Sequence, residues 1–109
     1  MSVAAFILEP TNEFEKAFSI PVSTEAFFYE CWVPAIKAMN LKWVEHFSWG
    51  VDIRKEDLED VITELLQVRE WSFHNLLETQ LTYILYRTDL LITMLPTAFR
   101  RENAVVFIG

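Results

Sequence analysis

Six acidic residues fall close together in the middle of the chain: Glu56, Asp57, Glu59, Asp60, Glu64 and Glu70. At this spacing Glu56, Glu59, Asp60, Glu64 and Glu70 share one face of a helix, with Asp57 on its flank. Glu56 with Asp60, and Asp60 with Glu64, are like-charged neighbours one turn apart, an arrangement that opposes the helix slightly. A row of carboxylates can keep a protein soluble, or it can draw in a basic partner. Trp43, Trp49 and Trp71 bracket the row in sequence. Charge that speeds encounter, beside aromatic rings that hold, suits a protein–protein interface. These nine residues are the expected partner-binding set. The most concrete partner is a basic, nuclease-type toxin, whose phosphate-binding arginines and lysines an acidic helix would occupy. The chain would then act as an immunity or antitoxin-like inhibitor.

Other residue types offer less chemistry. Glu45 shares an alternating face with Trp43 and Phe47, where a desolvated carboxylate could serve as a general acid or base, or pair with an arginine. His46 points the other way. His74 and Glu78 are four apart, so one helix face would hold both, but nothing in the sequence brings His46 to them as a third metal ligand. The expectation is no metal and no cofactor. Cys31 lies among Phe28, Trp32 and Ala35, surroundings that make a thiol inert. Two glycines, Gly50 and Gly109, cannot build a phosphate-cradling loop, and neither a zinc-binding cysteine pair nor a serine-hydrolase elbow is present. A small enzyme using Glu45 or His46 and His74 is therefore an alternative without a visible constellation.

The elements that must position these residues are legible from periodicity. Residues 3–8 form a short apolar run closed by Pro10, Thr11 and Asn12, which suits a strand. Residues 13–20 alternate and predict a second strand ended by Pro21, with a short helix over 13–18 as the competing reading. Ser23 or Thr24 can cap a helix through Met39, with a kink or break near Val33 because of Pro34, and a stop at Asn40. Residues 41–49 alternate and predict a strand with one buried face, ending at Gly50. Residues 53–70 form the clearest helix, capped by Asp52, followed by a turn over 71–75. Residues 75–95 predict a longer helix with a main apolar stripe and a second stripe of Leu76, Tyr83, Leu90 and Met94. That second stripe would be central or covered by a second copy, making a homodimer the other alternative. Arg69 and Arg87 fall near apolar positions and need partners, with Glu45, Glu30 and Asp89 as candidates. Residues 104–108 read as a last strand.

Strands and helices do not alternate strictly. The fold class expected is α+β, one domain over 1–109, with a mixed or antiparallel sheet of three to four strands packed against three helices. A chain of 109 residues with an apolar fraction of 52% can form a single core. Residues 1–60 hold 11 acids and 5 bases, and residues 61–109 hold 5 acids and 4 bases, so most of the net charge of −7 sits in the first part. That distribution argues against direct nucleic-acid binding and for a basic protein partner. One cysteine permits no internal disulfide, the first ten residues lack the features of a signal peptide, and the apolar stretch 76–95 is interrupted by Glu78, Gln80, Arg87 and Asp89. A cytoplasmic protein without a membrane span is expected.

Overall fold

A computed structural model describes residues 2–109. Four strands, β1 (Ser2–Ile7), β2 (Ser19–Thr24), β3 (Val51–Ile53) and β4 (Val106–Ile108), form one antiparallel sheet in the order β2-β1-β4-β3. Two long helices, α4 (Leu58–Asn75) and α5 (Glu78–Met94), pack against each other, and α5 lies on β2. The third helical arm comprises α2 (Glu25–Phe27), a π turn (Phe28–Trp32) and α3 (Val33–Met39), while α1 (Glu13–Ala17) is a short helix between β1 and β2. The fold is thus α+β, as the element order predicts. Period-two burial on β1 puts Val3, Ala5 and Ile7 inward, with Ile20, Val22, Ile53, Val106 and Ile108 from its neighbours. No described helix is long and apolar enough to cross a membrane.

Residues 13–20 divide differently from the strand prediction, and the helix alternative holds for their first part. Asn12 caps α1 by accepting from the Glu15 N–H at 2.8 Å. Glu15, only 2% exposed, fixes this helix to the far end of the chain. It accepts from the Thr11 N–H at 2.9 Å and from Arg101 through Nε (3.2 Å) and Nη2 (3.1 Å). Pro21 does not end β2 but sits inside it. It is tolerated because β2 is an edge strand and itself carries a bulge beside the proline, where Val22 is the extra residue opposite the Val3–Ala4 step of β1.

The Arg101 hydrogen bond, then that from Thr11, holds the Glu15 carboxyl below the usual glutamate range, against the effect of burial. A carboxyl whose pKa is lowered by folding stabilises the fold above its unfolded pKa. That contribution disappears as pH falls through the lower, folded value. Arg101→Leu is expected to destabilise the protein most at neutral pH, with the gap to wild type narrowing on acidification. Urea midpoints measured across pH 3 to 7, about the glutamate range, check this; a gap that stays constant would assign the loss to packing instead.

Pro34 acts as predicted, and the structure shows how. Without an N–H it cannot bond the Glu30 carbonyl, and its ring crowds that oxygen. The helix widens just ahead of it, so that the Val33 N–H donates to the Phe28 carbonyl five residues back. Asn40 ends α3 in the left-handed conformation, at φ 53°.

The strand predicted for 41–49 is not formed. The segment is a series of tight turns around a 3-10 turn, Val44–His46. Its buried residues are Leu41, Val44 and Phe47, every third residue, which matches the three-residue turn rather than a pleat. Gly50, at φ 114°, then leads into β3, which the sequence reading did not foresee. Helix α4 starts later and ends later than predicted. Its entry is closed by Asp57, which accepts from the Arg54 N–H at 3.0 Å, so Asp52 is not the cap. Residues 71–75 belong to α4, and the turn falls at Leu76 and Leu77.

Candidate functional site

The six carboxylates divide by what they touch. Glu64 accepts three backbone N–H groups from the neighbouring turn: Lys42 at 3.0 Å, Trp43 at 2.9 Å and Val44 at 3.0 Å. Asp57 is committed to the Arg54 cap. Glu70 lies 3.1 Å from His74 Nε2, one turn along α4. Glu56, Glu59 and Asp60 are exposed, and none of them has an ion-pair partner among the described residues. They gather at the start of α4, where the helix dipole favours negative charge. The available acidic face is therefore shorter than the sequence row.

The tryptophans also separate. Trp43 and Trp71 are half-buried and pack against the core. Trp49 is 84% exposed and lies elsewhere, across a groove from the π turn. Tyr29, 78% exposed, and buried Phe28 line it with Trp49. The groove comprises two adjoining hollows of about 280 Å³ each. Glu25 lines one of them, Glu45 and Lys37 the other. Both elements owe their position to the features above: the π turn presents Tyr29, and the turns held by Glu64 lead to Trp49. Tyr29 was not among the sequence candidates. Its one signal is that it falls beside the helical stripe of Phe28, Cys31, Trp32 and Ala35 rather than on it.

Glu45 does not share a buried strand face with Trp43 and Phe47. It is exposed at the groove, and so is His46 at its turn. Because α4 ends at Asn75, His74 and Glu78 lie on different helices, and His74 faces Glu70 instead. Among the described residues no group of three His, Cys, Asp or Glu could hold a metal. Burial, then the nearby charge of Glu30, pushes the Cys31 thiol up, as expected of an inert core residue. Of the predicted arginine partners, Asp89 takes Arg69, at 2.8 Å, with further bonds from Arg69 to the Leu85 carbonyl and the Thr88 hydroxyl. Arg87 meets no carboxylate among the described residues; it donates to the Pro21 carbonyl and to the Tyr83 hydroxyl, and lies over the Tyr83 ring.

The second apolar stripe, which begins at Leu76 ahead of α5, is half-buried. Leu76, Leu90 and Met94 pack partly on the core, Leu90 and Met94 also line an open hollow with Tyr86, and Tyr83 packs on Phe27 with ring centres 4.6 Å apart. A cavity of about 620 Å³ opens beside β3 and β4 and is lined by Glu9, Asp52, Arg54, Arg101 and Asn103 among others. Its charges are mixed, and Arg101 is already spent on Glu15 and Asn103.

Set against known proteins, the chain matches no family model, no curated protein and no solved structure. Its function must be read from these surfaces.

Proposed function

We propose that this chain is a non-catalytic binding protein that engages a basic partner protein. One observation carries the reading. Glu56, Glu59 and Asp60 stand exposed and unpaired at one helix end, while Asp57, Glu64 and Glu70 nearby each have a partner within the chain. Uncompensated charge of one sign, gathered in one place, accelerates encounter with the opposite sign. The most concrete partner is a nuclease-type toxin, whose cationic nucleic-acid site the three carboxylates would fill, with the chain acting as its immunity protein in the cytoplasm.

The test is inhibition of a nuclease toxin encoded beside this gene. The wild-type chain is expected to block it. Glu56→Lys, Glu59→Lys and Asp60→Lys together are expected to slow association by about ten- to a hundredfold, with the loss shrinking at high salt. An uninhibited nuclease, or a charge-reversed chain that associates as fast as wild type, would sink the reading.

A further inference from the structure

We propose that the groove between Tyr29 and Trp49 is a seat for the guanidinium of an arginine presented by the partner. The proposal rests on the basic-partner reading for its source of arginine, but it uses a different surface. Single exposed apolar side chains need no explanation. Two aromatic rings, 78% and 84% exposed, line one hollow together with a buried phenylalanine. Rings this exposed are not stacked on each other, so both keep a face free for a planar cation. A hollow of about 280 Å³ lies just under the range of roughly 300 to 1,000 Å³ that drug-sized ligands occupy, which fits one long side chain.

Charge selects the occupant. The hollow formed by Glu25, Phe28, Tyr29, Ser48 and Trp49 contains a carboxylate and no cation. The adjoining hollow adds a second carboxylate, Glu45, and one cation, Lys37. Neither Glu25 nor Glu45 forms an ion pair among the described residues. Two aromatic rings, lined with two carboxylates against a single lysine, favour a cation, and a flat, weakly hydrated guanidinium stacks on rings better than a compact ammonium. The wall is also stiffly built. Tyr29 lies within the π turn, whose widening ahead of Pro34 fixes where it points, and Phe28 beneath it stacks on Trp32 at 5.5 Å.

The probe is a capped Gly-Arg-Gly peptide, titrated into the full chain and followed by NMR of the Trp49 indole N–H and the Tyr29 ring. Both signals are expected to move and saturate. Trp49→Ala, at a position exposed enough to leave the fold intact, is expected to weaken binding about tenfold. Glu25→Gln with Glu45→Gln should weaken it by a smaller factor, and the lysine peptide should bind less well than the arginine one. Unmoved Trp49 and Tyr29 signals, or equal binding by the uncharged citrulline peptide, would overturn the proposal. Shifts confined to Glu56, Glu59 and Asp60 would also overturn it while sparing the basic-partner reading. Groove binding by the peptide, in a chain that fails to inhibit any adjacent nuclease, would support the seat and sink the toxin.

Discussion

Glu64→Ala is expected to destabilise the protein by about 3 kcal/mol, the largest loss from any single acidic residue of the central cluster. The carboxylate holds three amides of the 42–44 segment at 2.9 to 3.0 Å, one of them in the open and two partly buried. Each such bond to a charged acceptor contributes about 1.5 to 3 kcal/mol on its own, but three that share one carboxylate do not add in full. The alanine leaves three donors facing a gap, and water can reach only some of them. Glu64→Gln should lose about 1 kcal/mol, because its amide oxygen can keep the Trp43 and Val44 bonds while its NH2 meets the Lys42 donor. Glu59→Ala and Asp60→Ala should stay within about 0.5 kcal/mol of wild type. Chemical denaturation of the four variants, with hydrogen exchange at Lys42, Trp43 and Val44, separates the two roles. A Glu64→Ala protein as stable as Glu59→Ala would return Glu64 to the solvated charge row.

The second large effect is expected at Gly50. Its φ of 114° lies where L side chains rarely sit, and an added Cβ would come 2.7 Å from Cζ of Phe107. The ring is not free to leave without loss, since it packs on Phe6 at 5.4 Å. Backbone strain of about 1 to 3 kcal/mol, plus displacement of the ring, gives Gly50→Ala an expected loss of about 3 kcal/mol. By the usual scaling that is a fall in Tm of about 10 °C or more. The consequence for binding is separate. The N–H groups of Trp49 and Gly50 both donate to the His46 carbonyl, at 3.1 and 2.8 Å, and this turn aims Trp49 at the groove. Gly50→Ala should therefore also weaken the arginine peptide, whereas Phe107→Leu should not. A double-mutant cycle between the two positions divides ring clash from backbone strain. If Gly50→Ala melts within a degree or two of wild type, the turn is more pliant than its φ implies.

Both effects act on the segment from Leu41 to Gly50, where periodicity suggested a strand and the chain forms turns. Residues 41–49 place large apolar side chains at 41, 43, 47 and 49, which satisfies an alternating pattern, and at 41, 44 and 47, which satisfies a three-residue turn. What chose between them lies about twenty positions away: Glu64, whose carboxylate supplies the acceptors that a sheet neighbour would otherwise have supplied. The same long-range cause hid the groove. Tyr29 and Trp49 are twenty residues apart, and no local rule links them. Residues 13–20 failed for a related reason, since Glu15 is drawn inward by Arg101, far along the chain.

The sequence by itself determined the acidic balance, the α+β class, the long helices and the break ahead of Pro34, because each follows from composition, local periodicity or a missing N–H. It also assembled the row of carboxylates from Glu56 to Glu70. Only the tertiary structure decided which of them are available. Hydrogen bonds across the fold consumed Glu64, a turn consumed Asp57 and His74 engages Glu70, leaving Glu56, Glu59 and Asp60. It likewise buried most of Trp43 and Trp71 and left Trp49 exposed in a groove it shares with Tyr29, since packing against the core, rather than proximity in the chain, settles which aromatic rings a partner can reach.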